Sequence, residues 1–260
     1  MKIVVCVKQV PDTEAEKRLL PDTLTVDRES SNPVLNEMDE YAIEEALKLA
    51  EAHGGEVTVL TMGPDGADAA VRKALSMGAD SGILLTDPAL AGSDAVATSH
   101  ALAQALATTE YDLVVMGSEA SDARTSLVPA MLAERLSLPQ LTLASKVETQ
   151  GAQVRIQRDG DTATEVVGGT MPMVISVTDQ SGEARYPSFK GIMAAKKKPL
   201  ETLSLSDLGV DAGDVGLSVA WTEVAETTAR PPREAGEIVK DEEGSGAKAL
   251  ADFLAAKKFI

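Results

Sequence analysis

The sequence predicts an α/β protein: a Rossmann-like parallel sheet with helices on both faces, plus an antiparallel hairpin addition and an extended C-terminal arm. Three observations lead there. Over residues 1–140, short apolar β-branched runs alternate with helical stretches of about 10–15 residues, the pattern of a parallel sheet covered on both faces. Beyond residue 141 the strand signals follow one another through Gly- and Asp-containing turns, which indicates antiparallel pairing. Aromatic residues make up only 3% of the chain, so Ala, Val, Leu and Gly build the core, which suits close packing of helix on sheet.

The elements can be read in order. Ile3 to Val7 is too short for a helix and rich in β-branched residues. Met38 to Ala52 is helical: Ala42, Ala46 and Leu49 share a face with Ile43, Leu47 and Ala50, and Gly54-Gly55 stops it. Val57 to Met62 is a strand, broken by Gly63-Pro64-Asp65-Gly66. Ala67 to Met77 is a helix ended by Gly78, and Gly82 to Leu85 a further strand. Ser93 to Ala107 is a helix with Ser93 as N-cap, Leu113 to Met116 a strand, and Ser126 to Leu136 a helix. Leu141 to Glu148, Gln153 to Arg158, Thr164 to Val167 and Met173 to Thr178 form the antiparallel addition. Periodicity is lost beyond Leu208. Thr228 to Glu243, with Arg230-Pro231-Pro232-Arg233, has too few apolar residues to fold on itself. A last amphipathic helix starts near Ser245, with Leu250, Phe253 and Leu254 on one face; it reaches for another surface or docks back on its own domain. The organisation is therefore an α/β domain over 1–208 that includes the antiparallel addition and an odd basic loop at about 183–198, and an arm over 209–260.

Composition narrows function. A net charge of −17 argues against nucleic acid and against anionic membrane surfaces, both of which need cationic excess. One cysteine excludes an internal disulfide, and two histidines disfavour a multi-histidine metal site. With no leader-like segment and no apolar run near ~18 residues, the expectation is a cytoplasmic protein without membrane insertion.

Parallel α/β sheets bind ligands at the carboxyl ends of their strands, which singles out Val7-Lys8-Gln9, Thr61-Met62-Gly63 and Met116-Gly117-Ser118. Neither a P-loop nor a G-x-G-x-x-G motif is present, so nucleotide hydrolysis is not expected. The best anion site runs from Gly117 into the next helix. There first-turn N–H groups, the Thr125 and Ser126 hydroxyls and Arg124 can hold phosphate, although Ser or Thr there also serves as a plain cap. Asn36 reads as an N-cap, with Asp39 in the favourable first turn. Cys6 reads as buried packing, and no nucleophile–base pairing follows from spacing, so no catalytic residues are expected. Arg185 to Lys198 carries five positive charges and no negative one, with Phe189, Ile192 and Met193 among them. It reads equally as a docking site for an acidic partner or as a loop covering the chain's own core.

Several segments together resemble the β subunits of electron-transferring flavoproteins. They are Val5-Cys6-Val7-Lys8-Gln9-Val10-Pro11-Asp12-Thr13, Asn36-Glu37-Met38-Asp39-Glu40-Tyr41-Ala42-Ile43-Glu44-Glu45-Ala46, Arg72-Lys73-Ala74-Leu75-Ser76-Met77-Gly78-Ala79-Asp80, Arg158-Asp159-Gly160-Asp161 through Glu165 with Pro172-Met173-Val174-Ile175-Ser176, and Arg185-Tyr186 through Lys198. They span the whole chain in the family's order. The resemblance implies a structural AMP in this chain, held at Cys6, at Asn36, Glu37, Met38 and Asp39, at Met62, and along Asp122-Ala123-Arg124-Thr125-Ser126-Leu127-Val128-Pro129-Ala130-Met131-Leu132-Ala133. It also implies an α-subunit partner holding one FAD, with Thr13 and Met38 near the flavin. Phe189, Ile192 and Met193 would then recognise acyl-CoA and related dehydrogenases, and a quinone oxidoreductase would take the electrons onward.

Two departures stand out. Thr162-Ala163 replaces the family's glycine pair. Arg124-Thr125-Ser126-Leu127-Val128-Pro129 stands where AMP-binding members have Asn-Gln-Thr-Gly. Some relatives bind a second FAD here and bifurcate electrons, and the Val-Pro-Asp-Thr opening and Thr125 resemble those. A lone nucleotide-binding sensor on the same kind of domain is the remaining alternative.

Overall fold

The chain begins with β1 (Lys2–Val7), five of whose six residues are buried, and this strand becomes the middle of the main sheet. A short hairpin of β2 (Gln9–Pro11) and β3 (Pro33–Leu35) follows, with residues 12–32 as a long excursion between its strands. Helix α1 (Glu37–His53) has three acidic residues in its first turn, favourable to the helix dipole, and ends at Gly54, where φ is 68°. Then come β4 (Glu56–Met62), α2 (Asp68–Met77), β5 (Ser81–Leu85), α3 (Ala95–Leu106), β6 (Leu113–Gly117) and α4 (Val128–Leu136). After them run β7 (Gln140–Ala144), β8 (Lys146–Gln150), β9 (Gln153–Asp159), β10 (Thr164–Thr170), β11 (Met173–Val177), α5 (Phe189–Ala195), β12 (Leu200–Leu203) and α6 (Ser245–Ala256). This computed structural model describes residues 1–228, 231, 236, 238–241 and 244–260.

The main sheet has seven strands in the order β12-β5-β4-β1-β6-β11-β7, every pair parallel. Two apolar layers cover it. Ile3, Val5 and Val7 face α1 and α2, whereas Val4 and Cys6 face α3 and α4. From β1 the chain lays down β4 and β5 on one side, then returns to place β6 on the other. The topological switch point therefore lies between the carboxyl ends of β1 and β6.

The antiparallel addition exists but is smaller than the sequence suggests. Of its strands, β8, β9 and β10 form a separate antiparallel sheet in the order β10-β9-β8. β7 and β11 instead enter the main sheet as parallel neighbours. In that position all five residues of β11 are buried, as in a strand covered on both faces. The cap of α3 also differs. Asp94, not Ser93, accepts from the Val96 and Ala97 N–H groups, both at 3.0 Å. Ser93 Oγ accepts from the Gly216 N–H at 2.9 Å instead.

The chain divides into two units, Met1–Val224 and Ala225–Ile260. Residues 209–224 pack with the first unit: Val215 is buried, and Leu217 N–H donates to the Ala91 carbonyl at 3.2 Å. In the second unit, α6 has no buried residue and exposes Leu250 and Phe253. Of the stretch 228–243 expected to lack folded structure, residues 229, 230, 232–235, 237, 242 and 243 lie outside the described residues, and with them most of the Arg230-Pro231-Pro232-Arg233 motif.

Ile175 is fully buried at the centre of β11. Ile175→Ala should lower stability by roughly 2–5 kcal/mol, measured by denaturant unfolding.

Candidate functional site

The switch point is closed over by the first turn of α1. A Cβ on Gly117 would lie 2.5 Å from Asp39 Oδ1 and 2.8 Å from the Met38 carbonyl carbon, so only glycine lets the helix sit on the end of β6. Asp39 is buried there and accepts from the Lys8 N–H at 2.7 Å, with the Gly117 N–H also facing it. Burial pushes its carboxyl up to about 7, against these donors and the Lys8 charge.

Asn36 occupies the N-cap position without capping the helix. Its amide reaches across the switch point instead. Nδ2 donates to the Glu119 carbonyl at 2.9 Å, and Oδ1 accepts from the Ser121 N–H at 3.1 Å. The next residue, Asp122, has a side chain only 1% exposed, gripped by Lys8 Nζ and Arg28 Nη2, each at 2.8 Å. Burial opposes its ionisation, but Lys8 and Arg28 outweigh that and hold the carboxyl below its ordinary range. The excursion 12–32 adds Lys17 Nζ, donating to the Ser121 carbonyl at 2.6 Å, and Thr13 Oγ1, 3.4 Å from Ser121 Oγ. One loop, 118–122, is thus held by α1, by the end of β1 and by the 12–32 excursion.

The turn beyond that loop departs from expectation. Helix α4 starts at Val128 rather than Ser126, with Pro129 near its start and no side-chain cap. Proline fits the first helical turn, where its missing N–H is no loss. Arg124 and Ser126 take left-handed backbone angles, φ 49° and 52°. Ser126 Oγ donates to Glu119 Oε2 at 3.2 Å, and the Arg124 guanidinium lies 4.0 Å from Glu119 Oε1. Thr125 and Leu127 are exposed.

The residues nominated from sequence therefore separate by role. Asn36, Met38, Asp39, Asp122 and Thr13 converge on the switch point. Cys6 lies in β1, its thiol pushed up to about 12 by burial and then by Asp39, so it packs rather than reacts. Met62 is half-buried at the end of β4, and Glu37 is exposed. Ala123 to Leu127 are exposed, whereas Pro129, Leu132 and Ala133 face the core and hold α4 in place, with Val128, Ala130 and Met131 half-buried. The residues sequence reading missed are Lys17 and Arg28, which contact the loop from 104 and 94 positions away, beyond the reach of any local pattern.

The basic segment contains a helix. Ser188 Oγ caps α5 by accepting from the Gly191 N–H at 3.0 Å. Phe189, Ile192 and Met193 fall at i, i+3 and i+4 and are exposed on one face, Phe189 by 82%. Of its five cations, Arg185 and Lys198 are bound internally, which leaves Lys190, Lys196 and Lys197 exposed.

Among the described residues, no group of three or more His, Cys, Asp or Glu is arranged to hold a metal ion, and no helix is long and apolar enough to cross a membrane. Residues 23–208 match the electron transfer flavoprotein domain. The chain belongs to the electron transfer flavoprotein family. It is 46% identical over 264 residues to the electron transfer flavoprotein subunit beta of Mycobacterium tuberculosis (strain ATCC 25618 / H37Rv), across 99% of both chains. Identity to the same-named subunit of Thermoanaerobacterium thermosaccharolyticum is 41%, across 92% of both chains, and to that of Megasphaera elsdenii 35%, across 100% of both. The chain is thus a beta subunit with an electron-transfer role, and an alpha subunit is the partner this implies.

The raised carboxyl of Asp39 gives a pH signature. Its stabilising contribution is fully present below the ordinary carboxylate value of 3.8 and is lost as pH rises through about 7. Asp39→Asn should flatten the fall in stability between these limits, measured by unfolding at stepped pH.

Proposed function

We propose that this beta subunit forms a heterodimer with an alpha subunit that holds most of a single FAD. The heterodimer takes electrons from acyl-CoA and related dehydrogenases and passes them to a quinone oxidoreductase, working in the cytoplasm. The observation that carries this reading is the exposed apolar face of α5, ringed by Lys190, Lys196 and Lys197 on an otherwise acidic chain. Redox partners meet through small interfaces, below ~1,200 Å² in total, where one apolar anchor suffices and charges mainly raise the encounter rate.

A structural AMP fits the switch point. Exposed Arg124 and Thr125 and the start of α4 offer charge and donors to a phosphate, beside the loop that Asn36 and Asp122 hold in place. Bound flavin supplies the electron-accepting chemistry. This chain's own residues shape the cavity beside it, with Thr13 and Met38 nearest. The exposed apolar residues of α6 suit wrapping around the alpha subunit.

A second reading keeps the same fold but places a second FAD at the switch point, as in bifurcating relatives. It is favoured by the contact between Thr13 and Ser121, which brings the Val10-Pro11-Asp12-Thr13 opening onto the nucleotide loop. A lone sensor would need neither α5's exposed face nor a second subunit.

Heat release and chromatography of the bound nucleotide should yield AMP, with one flavin per heterodimer. Two flavins per heterodimer and no AMP would favour the second reading, and a colourless stable homodimer the sensor. Phe189→Ala should reduce kcat/KM for reduction by an acyl-CoA dehydrogenase roughly tenfold at unchanged flavin content. Unaltered kinetics would remove α5 from the docking site.

A further inference from the structure

The arginine that opens the docking segment is turned away from the docking surface. Arg185 Nε donates to Glu44 Oε2 at 2.7 Å and its Nη2 to Glu44 Oε1 at 3.1 Å. Nη1 and Nη2 also reach Glu51 Oε1 and Oε2, at 2.5 and 3.2 Å. The Arg185 backbone N–H adds a bond to Glu44 Oε2 at 3.1 Å. Glu44 and Glu51 stand two turns apart on α1, so one planar guanidinium spans both carboxylates, which a lysine ammonium cannot match.

The far end of the segment is bolted down in the same way, to α2. Arg72 Nη1 donates to the Ala195 carbonyl at 2.9 Å and to the Lys198 carbonyl at 3.1 Å. Lys198 Nζ donates to the carbonyls of Leu75, Gly78 and Ala79, at 3.0, 3.0 and 2.5 Å. These clamps matter because α5 has only seven residues, of which Ala195 alone is buried. A helix that short has no stability of its own in water. Its shape therefore comes from its anchors, and a partner meeting an unanchored segment would have to order it first.

We propose that Arg185 is a positioning residue for the docking encounter: by spanning Glu44 and Glu51 it holds α5 ready, with Phe189, Ile192 and Met193 already presented on one face. The proposal rests on α5 being the docking helix. Arg185 contributes little to long-range attraction, since two carboxylates offset its charge at close range. Through α1 the clamp also ties the docking helix to the switch point. Glu44 sits roughly 10 Å along the same helix from Glu37.

The test uses the complete flavin-loaded complex, reduced by an acyl-CoA dehydrogenase under steady-state conditions. Arg185→Gln should raise the KM for the complex about fivefold with kcat unchanged. Hydrogen-exchange protection should fall in residues 186–198 only. Arg185→Lys keeps the charge but not the fork, so most of the rise should remain, with the salt dependence of the rate as in the unaltered complex. Glu51→Gln, at an exposed position that folding tolerates, should raise KM about twofold. Wild-type KM in Arg185→Gln or in Glu51→Gln, while Phe189→Ala raises it, would overturn the positioning role alone. So would full rescue by Arg185→Lys. An unchanged KM in Phe189→Ala would instead remove the docking reading and this proposal with it.

Discussion

The seating of α1's first turn on Gly117 is the contact from which the candidate site follows. Because position 117 lacks a side chain, the helix start reaches the end of β6 and carries Asn36 and Asp39 into the gap between β1 and β6. Asp39 then receives the backbone of Lys8, and Asn36 receives the backbone of residues 119 and 121. A carboxylate buried in this way is costly unless donors are aimed at it. Here the strand ends supply them, at positions the sheet has already set.

Several cations in this acidic chain are bound by the protein's own groups. Lys8 and Arg28 neutralise Asp122, and Arg72 and Lys198 cap carbonyls around α2 and α5. A surface count would assign five positive charges to residues 185–198, whereas the structure exposes three. The net charge of −17 therefore says nothing about the local field. What that segment presents is an apolar helix face with a few lysines beside it.

Internal pairing also shapes the loop at the switch point. Residues 118–122 form no regular structure, yet the side chains of Lys17 and Asn36, from two separate regions, pin their backbone. The turn that follows, with Arg124 and Ser126 left-handed, stays open to solvent. A pinned backbone thus lies beside an exposed turn. That is where the chain departs from the Asn-Gln-Thr-Gly pattern.

By itself the sequence determined the alternation of strand and helix, the parallel sheet, the positions of α1 and α2, and, through its resemblances, the family. These depend on local periodicity and on short segments that keep their order along the chain. Only the tertiary structure decided that β7 and β11 join the main sheet, because two-sided burial is a property of neighbours and not of a run such as Met173 to Val177. It also decided that Asn36 bridges to residues 119 and 121 instead of capping its helix, and that α4 begins at Val128 and not Ser126. The grip of Arg28 on Asp122 and of Arg185 on Glu44 joins residues 94 and 141 positions apart. Such pairs leave no spacing to read, because the side chains meet only once the sheet has brought their backbones together.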